Sequence, residues 1–281
     1  MILRHITQHV KDQNWFAVGL DFVIVVAGIL IAFQVTNWSE ERHQASQAEQ
    51  ALDSIKAELS FLLFLSSERL ANEPCRIQKI RVLSDRLAED GEDWDADIDI
   101  DKPNGSGFSE FAMPRVLRTP LRPWPDTAWK TLIASETALH LERAQFNRLS
   151  IIYDLATETD RLDEMAWRLR GKLSHLALSG ILSAAERRTA LETLGEFSAI
   201  GDLIHISAGH LRQEIMLLDY EYEDAIKHLQ EQYDGLGVAI KASQSVYGEC
   251  LSIAEYQPLL EMLYTDEGDP KTVQELLEVT P

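Results

Sequence analysis

From Trp15 to Trp38 the chain reads WFAVGLDFVIVVAGILIAFQVTNW, apolar on every face of a helix apart from Asp21 and a few polar residues near its end. About 20 such residues span a bilayer core as a helix. A tryptophan stands at each end, where an amphipathic ring prefers the headgroup level. The pattern predicts one membrane-spanning helix over 15–38, with Trp15 and Trp38 as interface anchors. A cleaved signal sequence would instead carry an apolar region of about 7–15 residues and then a small-x-small site. This run is longer and leaves through Gln34-Val35-Thr36-Asn37-Trp38, so an uncleaved anchor is expected.

Past Trp38 the apolar positions fall into helical period. No glycine or proline interrupts until Pro74, and Leu52, Ile55, Leu59, Leu62 and Ser66 follow near-heptad steps, widened by Leu63 and Leu70. Asn72-Glu73-Pro74 predicts the end of that helix. A second should run from Arg76 to Ala88 with Ile77, Ile80, Leu83 and Leu87 inward. Four prolines in 108–125 predict an extended connection. Asp126 then reads as an N-cap for a helix starting with Trp129, Leu132 and Ile133, in which Trp129 packs into the core. Phe146, Leu149, Tyr153, Leu162, Met165, Leu169, Leu173 and Leu176 predict one long helix, or two collinear ones, over 142–178.

Ser183-Ala184-Ala185-Glu186 is a capping box. The helix it opens should continue toward Asp234-Gly235, with Gly195, Gly201 and Gly209 as candidate breaks. Shorter helices are expected near 239–254 and 256–264, and a last one from Asp269-Pro270 to about Leu277. No strand run and no internal repeat stands out. The expected architecture is all-α, with a short cytoplasmic interfacial segment (1–14), the spanning helix (15–38) and a helical-bundle extracytoplasmic domain (39–281).

Charge adds sidedness. Lys+Arg is 26 and Asp+Glu 46, a formal net charge of −20. Arg4, Lys11, Asp12 and Asp21 cancel, so the whole excess lies after Trp38. An acidic domain repels phosphate backbones, which argues against nucleic acid as a partner. Basic residues flank the span slightly more heavily on its N-terminal side, where Arg4 and Lys11 face Arg42 alone before Lys56. That bias favours a cytoplasmic N-terminus. The domain would then lie outside the cytoplasm, in the periplasm of a bacterium with two membranes. There Cys75 and Cys250 would either form a disulfide or remain two buried thiols.

Asp21, Val25, Gly28 and Ala32 follow steps of four, three and four and share one helical face. Gly28 and Ala32 are a small-xxx-small pair that lets another helix approach. Two readings stand: a seam for a second copy or a membrane-protein partner, or an Asp21 that snorkels toward the headgroups. Before the span, Ile2, Leu3, Ile6 and Val10 make a short apolar stripe, read as an interfacial helix or as a tail.

Candidate chemistry is sparse. Asp93, Asp95, Asp97, Asp99 and Asp101 in the acidic loop 89–107 suggest calcium. An EF-hand needs glycine at position six and a carboxylate at twelve, however. Starting at Asp93 these are Ile98 and Asn104; starting at Asp95 they are Ile100 and Ser106. A solvated loop is the better reading. Glu40-x-x-His43 lacks the second such motif of a di-iron bundle. His205 and His210 fall on different helical faces, while His210 and Glu214 share one. No nucleophile elbow, Walker loop or dinucleotide fingerprint occurs, and no catalytic residue, metal ligand or cofactor is implied.

Asp21, Val25-Val26, Gly28-Ile29-Leu30-Ile31-Ala32, Gln34, Asn37-Trp38 and Glu40-Glu41-Arg42 together resemble a family of uncharacterised bacterial single-pass membrane proteins. Their spanning segment reads acidic-x-x-x-V-V-x-G-I-L-I-A-x-Q-x-x-N-W-x-E, followed by Arg. The resemblance covers about 25 residues and implies location and architecture, with no activity attached. The expected function is a non-enzymatic inner-membrane scaffold or sensor whose periplasmic domain binds a partner or ligand. The alternative is an accessory subunit of a proton-coupled membrane complex using Asp21.

Overall fold

The structure, a computed structural model, describes residues 15–96, 117, 119–120, 122–135, 138–139, 141–218, 235–264 and 269–280. The stripe at 2–12, most of the acidic loop and residues 219–234 lie outside them; the capped helix, expected to run on toward Asp234-Gly235, ends at Met216. The chain is all-α, with one two-residue ladder among the described residues, and divides into two compact units, Met1–Gln50 and Ala51–Pro281.

Helix α1 runs over Trp15–Ala88, 74 residues. Within the first unit its residues 19–43 are all exposed. The described part includes a stretch long and apolar enough to cross a membrane, none of it buried.

In the second unit, α1 is the central element. Residues 62–72 are buried all the way round, so every face of that segment meets another part of the chain. The helix does not stop at Asn72-Glu73-Pro74 as expected; Pro74 lies inside it. A proline removes one N–H and crowds the carbonyl four residues back. The neighbouring Ala71 carbonyl finds a donor from another segment, the Ser252 N–H at 2.9 Å. Just beyond the proline, Cys75 and Cys250 are disulfide-bonded with their Cα atoms 5.0 Å apart. Lys79 Nζ adds a bond to the Tyr247 carbonyl at 2.6 Å. Tertiary partners thus hold together a helix that local sequence would have ended.

Helix α2 (Thr127–Ala134) begins at Asp126 as expected, but the Asp126 side chain makes no capping bond. Asp126 pairs with Lys130 at 2.6 Å, and Glu58 of α1 accepts the Ala128 N–H at 2.8 Å in its place. The Tyr153 hydroxyl donates to the same carboxylate at 2.9 Å. Trp129 is a core residue, stacked on Tyr153 with centroids 5.2 Å apart. Helix α3 (Arg143–Leu173) ends in a 3₁₀ turn over Ser174–Ala177. Met165, expected to face inward, is 39% exposed, because the buried positions 162, 166 and 169 leave it on the outer face. Ile77 on α1 likewise points outward.

Strands β1 (Asp93–Trp94) and β2 (Gly180–Ile181) pair antiparallel, with Asp93 opposite Ile181 and Trp94 opposite Gly180. This ladder corrects the expectation of no strand, and it makes the start of the acidic loop structural. Trp94 is buried, donates from Nε1 to the Leu176 carbonyl at 2.9 Å and has the guanidinium groups of Arg86 and Arg187 at 4.8 and 5.6 Å from its ring centroid.

Helix α4 (Ala184–Met216) opens with the expected capping box: the Ser183 N–H donates to Glu186 Oε2 at 2.8 Å, and the Glu186 N–H to Ser183 Oγ at 3.3 Å. None of Gly195, Gly201 and Gly209 breaks it. The pairs Arg148–Glu214 and Thr159–Ser207 show α3 and α4 running antiparallel. Helices α5 (Leu236–Tyr247), α6 (Gln257–Leu263) and α7 (Val273–Val279) follow among the described residues. The α5 helix starts earlier and ends earlier than expected, stopped by Gly248 at φ 105°.

The apolar residues form two clusters. One gathers Ile55 to Cys75 of α1 with the start of α3, the end of α4 and α5–α7; the other gathers Leu83, Leu87 and Trp94 with the end of α3 and the start of α4.

Candidate functional site

Where one apolar cluster gives way to the other along α3 and α4, the side chains turn polar. Thr159 and Ser207 share a hydrogen bond of 2.7 Å there. Opposite, α1 contributes Glu68, Arg69, Asn72 and Arg76, all buried. Ionised groups are tolerated in such a place only when paired, and each charged one is. Arg69 Nη2 donates to Asp163 Oδ2 at 2.6 Å, with both side chains under one-tenth exposed. The Trp124 Nε1–H reaches the same oxygen at 2.8 Å. Glu68, 1% exposed, takes Arg122 Nε at 3.1 Å and the Ser243 hydroxyl at 3.1 Å. Arg76 forks onto Glu73 at 2.7 Å on both carboxylate oxygens, donates to the Ser198 carbonyl at 3.1 Å, and reaches Asp202.

The electrostatics follow from that burial. Desolvation acts to depress the Arg76 guanidinium, but hydrogen bonds and charge from Glu73 and Asp202 outweigh it and hold its pKa above the ordinary value. For Asp163 burial prevails: despite Arg69 and the Trp124 N–H, desolvation, with the neighbouring Asp160 charge, holds the carboxyl above the usual aspartate range. Burial, then the Glu68 charge, also pushes the Tyr247 and Tyr256 phenols up, keeping both neutral. A cavity of about 20 Å³ adjoins Arg69, Asn72, Arg76, Gly201 and His205, room for about one water. Asn72 Oδ1 and His205 Nδ1 reach no partner among the described residues.

The layer opens outward on α3. A groove of about 550 Å³ is lined by Arg122, Pro123, Asp160, Asp163, Glu164, Trp167 and Arg168. That volume is in the usual range for small-molecule sites, roughly 300–1,000 Å³. Positions 160, 163, 164 and 167 share a helical face. Trp167 is 49% exposed, and the Arg170 guanidinium sits 4.9 Å over its ring. The floor is rigid because Asp163 is tied to Arg69 and Trp124. The walls remain accessible.

None of the residues singled out from sequence belongs to this groove. Asp21, Val25, Gly28 and Ala32 are exposed on α1, and a methyl added at Gly28 meets nothing within 4 Å. Trp15 lies in the first turn of α1. Trp38 is exposed, with the Arg42 guanidinium 4.2 Å over its ring. His43 contacts Gln47 at 3.2 Å, and Glu214 pairs with Arg148 at 3.1 Å, not with His210. Among the described residues, no group of three or more His, Cys, Asp or Glu could hold a metal ion. Compared with known protein families, curated proteins and solved structures, the chain has no significant match.

Proposed function

We propose that this is a single-pass protein of a bacterial inner membrane, with its N-terminus in the cytoplasm and its helical unit in the periplasm, where that unit binds a ligand or partner without catalysing a reaction. One observation carries the reading. Residues 20–38 form a helix on which Phe22, Ile24, Leu30 and Phe33 are each more than half exposed. Lipid is the solvent in which such a surface is stable. The helical unit is built differently, with a rigid buried ion-pair layer beneath an accessible groove. A disulfide across 175 residues suits an oxidising compartment.

The spanning helix serves as an anchor and, through Asp21, Val25, Gly28 and Ala32, as the seam for assembly. Crosslinking in native membranes with mass spectrometry of the products tests this reading. It expects adducts from both the seam and the helical unit. A strictly monomeric protein with no adduct from either would count against it.

A further inference from the structure

The geometry points to a ligand for the groove on α3: a small organic cation, an amine or guanidinium on a short apolar stem. This deepens the proposed ligand-binding role and rests on it. Carboxylate oxygens around the groove have room for further donors. The arginines are engaged: Arg122 on Glu68, Arg69 on Asp163, Arg168 on Glu164, and Arg170 over Trp167. Asp163 is nine-tenths buried and receives both its donors on Oδ2, so no donor among the described residues reaches Oδ1. Among those residues, Asp160 accepts only the Trp124 N–H, at 3.5 Å. These oxygens accept from a ligand that donates, and ionised acceptors favour a charged donor.

Trp167 sets the other end. Its ring already carries one guanidinium, showing that a planar cation can lie against it, and half of the side chain remains open. From Asp163 to Trp167 is one helical turn, about 6 Å of rise. A four-carbon stem spans a similar length, with one charged end on the aspartates, the other on the indole and the methylenes along Pro123.

The probe is agmatine, which has an amine and a guanidinium on four carbons. It is titrated by calorimetry into the full-length protein in detergent micelles at low ionic strength, with succinate as the anionic counterpart. One saturable agmatine site is expected, and none for succinate. Asp160→Asn and Trp167→Ala, both at solvent-accessible positions and checked by thermal melting, should each weaken agmatine about threefold or more. No saturable agmatine binding, tighter succinate binding, or unchanged affinity in both variants would overturn the assignment. The broader reading fails separately. If groove substitutions abolish a membrane crosslink while agmatine does not bind, the ligand class is wrong and the receptor role stands. If agmatine binds a protein found free of the membrane, the reverse holds.

Discussion

Arg76 decides what residue 201 can be. A methyl added at Gly201 would stand 2.6 Å from Arg76 Nη1 and 2.8 Å from its Cζ. The far end of an arginine usually moves aside, but this one is 6% exposed and held by Glu73, the Ser198 carbonyl and Asp202. Gly201→Ala should therefore lower stability by about 1–3 kcal/mol in urea melts, as overpacking does. The same change at Gly195, where an added methyl meets nothing within 4 Å, should raise it by about 0.4–1 kcal/mol.

Asp163 makes a different prediction at the same scale. Its folded pKa lies above the ordinary 3.8, so the folded state holds this proton more tightly than the unfolded chain. The resulting stabilisation is complete in acid and is lost as pH rises through the folded value. In urea melts wild type should thus lose stability relative to Asp163→Asn as pH rises above 3.8. A wild type that gains on the variant instead would mean that pairing with Arg69 outweighs burial. Little of this network is legible in the sequence. Glu68-Arg69 stands out as a charged pair inside LLFLSSERL, but its partners Arg122 and Asp163 lie 54 and 94 residues away, and no local pattern joins them.

Elements are legible where the signal is local and obscure where a distant segment intervenes. The Ser183–Glu186 box sits within one turn, and both of its bonds are present. Pro74 reads as a stop because the Ser252 N–H and Cys250 are invisible from its neighbourhood. Asp126 marks the right boundary, yet Glu58, 70 residues before the Ala128 N–H it accepts, makes the cap. Two-residue strands carry no period to detect. Met165 and Ile77 read as inward because an apolar residue near the stripe looks the same whether or not a neighbour covers it.

The disulfide is the prediction at this scale, since it ties α1 beyond its proline to the turn after α5. Reduction, or Cys250→Ser, should cost about 2–4 kcal/mol. Urea unfolding with and without dithiothreitol measures it, and a midpoint that does not move would show the bond to be dispensable.

At the scale of the molecule, two kinds of surface share one chain. The first unit presents bare apolar side chains from Leu20 to Trp38, while the net charge of −20 belongs wholly to the residues beyond Trp38. The first surface suits lipid, the second water. The all-α class is legible because helical period persists over most of the chain. The groove is not, because Arg122 and Pro123 come from one stretch and Asp160 to Arg168 from another, which only the fold brings together. The proposed sidedness rests on Arg4 and Lys11 against Arg42, the positive-inside bias. The most direct measurement is protease digestion of intact spheroplasts carrying the full-length protein with a tag behind Pro281. Loss of the tag from a membrane-bound protein, before the cells are lysed, is the predicted result. A tag that survives until lysis, or a full-length protein recovered in the soluble fraction without detergent, would contradict it.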